Sequence, residues 1–184
     1  MEPSNHIFIA TSLDGYIADQ EGALHFLDTF PEINTIDTGY TAFTEGIDAL
    51  IMGRNTFETV AAFDLDWPYD KPVFVLSNTL KKIPKKYADK AYLMKGELKE
   101  VLHQIHQQDY KRLYIDGGKT IQSFLKQDLI DSMIITIIPV LLGGGVPLFS
   151  ELANPLKFEC FGSQVYLDKI VQNSYRRLRT EQVK

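Results

Sequence analysis

The sequence predicts a single α/β domain over residues 1–184, built on a mostly parallel central sheet with an antiparallel hairpin at its C-terminal end. Three observations carry this expectation. Short apolar or β-branched runs alternate with helix-patterned segments as far as Ile138. Two of those runs pass directly into helices through glycine, at Gly53 and at Gly117-Gly118. After Lys157 the residues alternate in polarity on either side of Asp168-Lys169, the pattern of a closing hairpin. Strand–helix repetition implies parallel pairing, because a helical crossover brings each strand back in the direction of the last. No internal repeat, low-complexity linker or domain boundary interrupts the pattern.

The elements follow in order. The first strand covers residues 7–12 and ends at the Asp14-Gly15 turn. A loop rich in Asp, Gly and Pro leads to a helical stretch over 40–46. Residues 49–52 form a strand that runs into Gly53-Arg54-Asn55-Thr56 and a helix. Residues 73–76 and 91–94 are strands. Over 98–108, Leu98, Val101, Leu102 and Ile105 recur at helical spacing and mark one buried face. Residues 113–115 form a strand, and the helix after Asp116-Gly117-Gly118 turns Ile121, Phe124 and Leu125 inward. Residues 133–138 are almost unbroken apolar, as suits a strand buried on both faces. Gly143-Gly144-Gly145 marks a loop before the hairpin strands, 157–167 and 171–178.

Composition narrows the function. Of 184 residues, 45% are hydrophobic and 23% charged, and the net charge is −5; this is the balance of a globular enzyme. The densest basic stretch, Lys81-Lys82-Ile83-Pro84-Lys85-Lys86, lacks interleaved aromatics and reads as a solvated loop, which argues against nucleic acid as a partner. The single cysteine, Cys160, excludes an internal disulfide and a Cys-rich metal site, and it reads as a small packed residue within a strand. No metal-ligand spacing joins the four histidines, and no apolar run approaches membrane-spanning length. A cytoplasmic setting with no membrane partner is expected.

Chemistry is concentrated where strands turn into helices, because helix N-termini there offer free N–H groups to anions. Gly53-Arg54-Asn55-Thr56 combines a glycine, a guanidinium, an amide and a hydroxyl. Asn55 with Glu58 also fits a capping box, but capping does not call for Arg54, which suits a phosphate. Asp116-Gly117-Gly118-Lys119-Thr120 is either a pyrophosphate cradle or a point of tight packing. It is not a Walker A loop, which would need glycine at Leu113, and no G-x-G-x-x-G opens any helix.

The order of five segments carries a resemblance. They are Ser12-Leu13-Asp14-Gly15-Tyr16-Ile17-Ala18, Ile51-Met52-Gly53-Arg54-Asn55-Thr56-Phe57-Glu58, Leu76-Ser77-Asn78, Ile115-Asp116-Gly117-Gly118 and Gly143-Gly144-Gly145-Val146-Pro147-Leu148-Phe149. Together they resemble the dihydrofolate-reductase-like proteins, most closely the reductase domain of bacterial riboflavin-biosynthesis deaminase-reductases and its stand-alone relatives. The resemblance spans essentially the whole chain. It implies a three-layer α/β/α fold and a dinucleotide lying across the strand ends. Ala10 and Ile17 would border the nicotinamide. Gly53, Arg54, Asn55 and Thr56 would meet phosphates, with Arg54 at the adenosine 2′-phosphate. Leu76, Ser77 and Asn78 would hold the adenosine side, and Gly117, Gly118, Lys119 and Thr120 the pyrophosphate. Two cations, Arg54 and Lys119, favour NADPH over NADH.

On the substrate side, the resemblance sets Asp37 at the position of a carboxylate that supports ring protonation, and Thr136 in the substrate pocket. Asp37 as a loop or N-cap residue and Thr136 as a hydroxyl bonded to backbone are the alternatives. His25 falls in the loop that covers the nicotinamide, and Trp67 reads as a loop anchor near the site. Tyr16 stands where the riboflavin-pathway reductases carry a lysine, which weighs against a phosphorylated ribosyl substrate. The zinc ligands of the partner deaminase cannot come from one cysteine. The resemblance therefore implies an NADPH-dependent reductase acting on a small pterin- or pyrimidine-type heterocycle, working as a homodimer. The alternatives are a 5-amino-6-(5-phosphoribosylamino)uracil reductase and a nucleotide-binding dimer without catalysis.

Overall fold

The computed structural model describes residues 2–63 and 66–179. Its strands are β1 (Ser4–Ser12), β2 (Tyr16–Ala18), β3 (Ala49–Gly53), β4 (Val73–Leu76), β5 (Ala91–Met94), β6 (Arg112–Asp116), β7 (Ser132–Ile138), β8 (Val146–Pro147), β9 (Phe158–Tyr166) and β10 (Ile170–Arg177). The helices are α1 (Tyr40–Glu45), α2 (Arg54–Ala62), α3 (Leu98–His106) and α4 (Gly118–Lys126). The main sheet runs β5-β4-β3-β6-β1-β7-β10-β9. Its pairs are parallel from β5 through to β7, and β10 joins antiparallel with β9 outside it. This is the dihydrofolate-reductase-like arrangement, a parallel sheet with an antiparallel end.

Helices cover both faces. On one, α3 inserts Leu98, Val101, Leu102 and Ile105 and α4 inserts Ile121, Phe124 and Leu125 against Ile7, Ile51, Leu113 and Ile135. Those helix positions recur every three or four residues, so each helix buries one stripe and leaves the rest to water. On the other face, Phe57 of α2 packs with Leu50, Met52, Val75 and Tyr114, and Phe43 of α1 lies against the same cluster. Phe57 and Phe124 are among the largest fully buried side chains; truncating either to alanine costs about 3–5 kcal/mol.

Some details differ from the sequence expectation. The loop after β2 forms two 3-10 turns, His25–Thr29 and Pro31–Thr35, because Phe26, Leu27 and Phe30 find an apolar seat on Ile138 and Ile170. The short pair β2–β8 was too brief to leave an alternating pattern; it forms because Gly145 lets the chain pass against the Ala18 carbonyl. β7 is not wholly buried, since Ile134 and Ile137 remain partly exposed. Cys160 is exposed rather than packed, because β9 is an edge strand with little covering its faces. Among the described residues, no helix is long and apolar enough to cross a membrane.

Candidate functional site

β3 and β6 are parallel neighbours, with Met52 opposite Asp116. Both therefore end at one level, and the glycine turns that follow emerge side by side. α2 starts after Gly53 and α4 after Gly117, and neither N-terminus carries a side-chain cap. Asn55 and Glu58 do not form the capping box that their spacing allowed; Glu58 instead pairs with Arg54, Oε1 to Nε at 2.7 Å. Uncapped N–H groups at two adjacent helix starts converge on one opening, with positive partial charge directed into it.

That opening is a cleft of about 1160 Å³. The close approach of its walls depends on glycine. A Cβ on Gly53 would stand 2.9 Å from Thr120 Oγ1, and one on Gly117 would collide with Thr56 Oγ1. Gly117 also has φ +86°, a conformation that L side chains rarely adopt. A Cβ on Gly118 would press on Ile17 and Val146 at 3.1 Å. Glycine thus lets the two turns and the β2–β8 pair pack closely at three positions along the cleft wall. Two helix starts without side-chain caps, with Arg54 and Lys119 as cations, fit a dinucleotide diphosphate.

Of the residues predicted to hold cofactor, Ala10, Ile17, Leu76, Gly53, Arg54, Asn55 and Thr56 line this cleft, as do Gly117, Gly118, Lys119 and Thr120. Ser77 and Asn78 lie outside its wall. Ser77 Oγ accepts the Leu80 N–H at 2.9 Å and stands 3.3 Å from Thr79 Oγ1, which in turn accepts from Arg54 Nη1 at 3.3 Å. Ser77, Thr79 and Arg54 form one polar group at the rim, and sequence reasoning had not included Thr79. Asn78 Oδ1 accepts the Gly96 N–H at 3.3 Å and so braces the loop after β5.

The two predicted substrate residues are elsewhere. Asp37 is exposed and does not line the cleft; its Oδ1 accepts the Gly39 N–H at 2.9 Å. Desolvation acts to raise its carboxyl, but hydrogen bonds from Thr41, Gly39 and Tyr40 outweigh that and hold it below the usual range. It is a turn carboxylate ahead of α1, as its alternative reading had it. Thr136 is buried beside Ala10 in the sheet and accepts from Gln172 Nε2 at 2.9 Å. Its partner is a side-chain amide rather than the backbone, and the same amide donates to the Thr38 carbonyl at 3.1 Å. His25 is exposed outside the lining, while Trp67 packs on Phe57, Tyr69 and Tyr87, and of these Tyr69 reaches the cleft.

One carboxylate that the sequence had presented only as part of a glycine turn does face the cleft. Asp116 sits at the end of β6, partly open to the cleft and enclosed by protein on its other sides. Burial pushes its carboxyl up to about 6, against the N–H of Gly117, which donates to Oδ1 at 2.8 Å. Among the described residues, no cation pairs with it. Burial together with its charge pushes Tyr40 up to about 12 and raises Tyr69 and Tyr114 as well. Around it the wall is aromatic: Phe8, Tyr69 and Tyr114 line the cleft, with the Tyr114 hydroxyl donating to the Phe8 carbonyl at 2.8 Å. A carboxyl with a pKa raised by burial, in a cleft beside an anion cradle, is equipped to hold and release a proton near neutral pH.

Known proteins share this architecture. The model of the RibD C-terminal domain matches residues 5–172. The uncharacterised protein YwjB of Bacillus subtilis is 36% identical over 180 residues, covering 96% of this chain and 99% of that protein. The crystal structure of a putative riboflavin biosynthesis protein from Shewanella sp. PV-4 is 54% identical, covers 96% of this chain and 99% of its own, and superimposes with a TM-score of 0.92. Dihydrofolate reductase from Enterococcus faecalis, in a structure complexed with NADP(H), is 18% identical, covers 96% and 97%, and has a TM-score of 0.66. At that identity it attests the fold alone.

Proposed function

Because the chain belongs to the RibD C-terminal domain family, a reductase-like family, we propose that it is an NADPH-dependent reductase of a small pterin- or pyrimidine-type heterocycle. A single observation carries this reading: two uncapped helix N-termini, each with its own cation, open beside an aromatic pocket floored by an unpaired carboxyl. When bound, the cofactor supplies a hydride to a C=N or C=O carbon.

The chain's own residues do the rest. Amides at the starts of α2 and α4 hold the diphosphate, with Lys119 adding charge. Arg54, steadied by Glu58, joins Ser77 and Thr79 to bind the 2′-phosphate, for which a guanidinium offers paired donors. Ala10, Ile17, Phe26 and Leu27 form an apolar wall that keeps water from the reacting ring. Asp116, protonated, donates to the nitrogen or oxygen left electron-rich once the neighbouring carbon is reduced. The enzyme works in the cytoplasm, as a homodimer that covers the exposed side chains of β9.

The test is a comparison of cofactors. NADPH should raise the melting temperature well beyond any shift given by NADH. Arg54→Ala should weaken NADPH by about 10- to 100-fold, the loss of charge-assisted hydrogen bonds worth about 1.5–3 kcal/mol, and leave NADH within about threefold. Equal shifts from both cofactors would remove the 2′-phosphate role. NADPH oxidation across a panel of dihydropterins and ribosylaminopyrimidines then identifies the substrate; binding without turnover across that panel would favour a nucleotide-binding protein without catalysis.

A further inference from the structure

Resting on the reductase reading, we propose that the substrate is a planar heterocycle, or its nucleoside, that carries no phosphate. The argument is the distribution of charge within the cleft. Among the described residues that line it, Arg54 and Lys119 are the cations, facing three carboxylates, Glu21, Glu58 and Asp116. Both cations belong to the cofactor's half. Arg54 pairs with Glu58 of its own helix at 2.7 Å and reaches Thr79, just past the end of β4, at 3.3 Å; β4 lies on the side of β3 away from β6 and β1. Lys119 stands in the first turn of α4, beside the amides that meet the diphosphate.

The other half is made from β1, β6, the end of α2 and the segment before β4. It presents Phe8, Tyr114, Asp116, Val60, Phe63 and Tyr69. Flat apolar walls suit a planar ring, and the carboxyl suits an N–H edge. No Lys, Arg or His among the described lining residues stands there to neutralise a phosphate, so a dianion would enter that half without a counter-charge. Lys169 lies over the Phe30 ring at 5.7 Å and is not among the lining residues. A cofactor bearing several phosphates already requires both cleft cations, so nothing is left for a phosphorylated substrate.

This sets the chain's place in a reaction sequence. Where such a heterocycle is first made as a phosphate ester, a phosphomonoester hydrolase must act earlier: water attacks phosphorus, the ester P–O bond breaks, and inorganic phosphate leaves the nucleoside that this chain then accepts.

The experiment is calorimetric titration of the full chain, saturated with NADP+, using uridine and uridine 5′-phosphate, which differ only in the phosphate. Uridine should bind at least tenfold more tightly than its 5′-phosphate. Equal or tighter binding of the phosphate would overturn the proposal, and so would binding of neither compound to the NADP+-loaded protein. Failure to bind NADP+ at all is a different result: it would sink the reductase reading itself. A matched turnover pair, 5-amino-6-ribosylaminouracil with and without its 5′-phosphate, should show kcat/KM in the same order, and a reversed order would again overturn it.

Discussion

Asp116 is where folding and chemistry oppose each other. Its folded pKa, about 6 against an ordinary 3.8, means that burial favours the neutral form. The stability this gives is complete below about pH 3.8 and is lost as pH rises through about 6, where the folded chain must carry an unpaired charge. Asp116→Asn removes that charge and keeps the acceptor for the Gly117 N–H. The variant should be more stable at pH 7.5 by up to about 3 kcal/mol, less where cleft water solvates the carboxylate, and lose its advantage below pH 4. Thermal denaturation across pH measures this. Turnover should move the other way, falling by about 100-fold or more with loss of the proton donor. In the parent chain the rate should decline above about pH 6 as Asp116 ionises, and Asn should abolish that limb. A variant with full activity and an unchanged pH profile would show that water, not Asp116, supplies the proton.

At the scale of elements, the starts of α2 and α4 interlock through glycine. Gly117→Ala would place a methyl against Thr56 and hold a side chain at φ +86°. That conformation alone costs about 1–3 kcal/mol, and the displaced turn should erase the NADPH-induced rise in melting temperature. The loop after β7 is held by a different device. Asp14 accepts from Ser12 Oγ at 2.6 Å, from Leu142 N–H at 3.1 Å and from Gly143 N–H at 2.7 Å. The Ser12 hydroxyl, helped by those two amides against some desolvation, holds its carboxyl down to about 2. The clasp is therefore in place above the ordinary pKa of 3.8 and lost as pH falls towards 2. Asp14→Ala should speed hydrogen exchange at Leu142 and Gly143 at neutral pH while leaving the α4 amides unchanged; equal protection in both proteins would show that the loop is held by its pairing with β2.

At the scale of the whole molecule, β9 is the weak margin. It is an edge strand with Phe161 53% and Val165 57% exposed and with Cys160 open beside them. Exposed apolar edge strands invite pairing with another chain. Sedimentation velocity should find a dimer, and Phe161→Glu should shift it to monomer with NADPH binding retained. A monomeric parent chain would remove the dimer from the proposal. The parallel core of the sheet was legible beforehand because each strand is a short apolar run followed by a patterned helix, a signal carried within the segment. The β2–β8 pair and the 3-10 turns were not, since three or fewer paired residues leave no period and a 3-10 turn gains its stability from the surface it packs on.

The sequence by itself determined the alternation of strands and helices, the hairpin at the end, and the glycine-led turns with Arg54 and Lys119, because each is written in consecutive residues. Which turns became neighbours was decided by tertiary structure, through a strand order that sets β6 between β3 and β1. The same order assigned the carboxylates. Asp37 and Asp116 are alike as residues; one was left in a solvated turn and the other was carried to the floor of a cleft. Burial, and with it the pKa that makes a carboxyl useful, depends on what the rest of the chain brings around it.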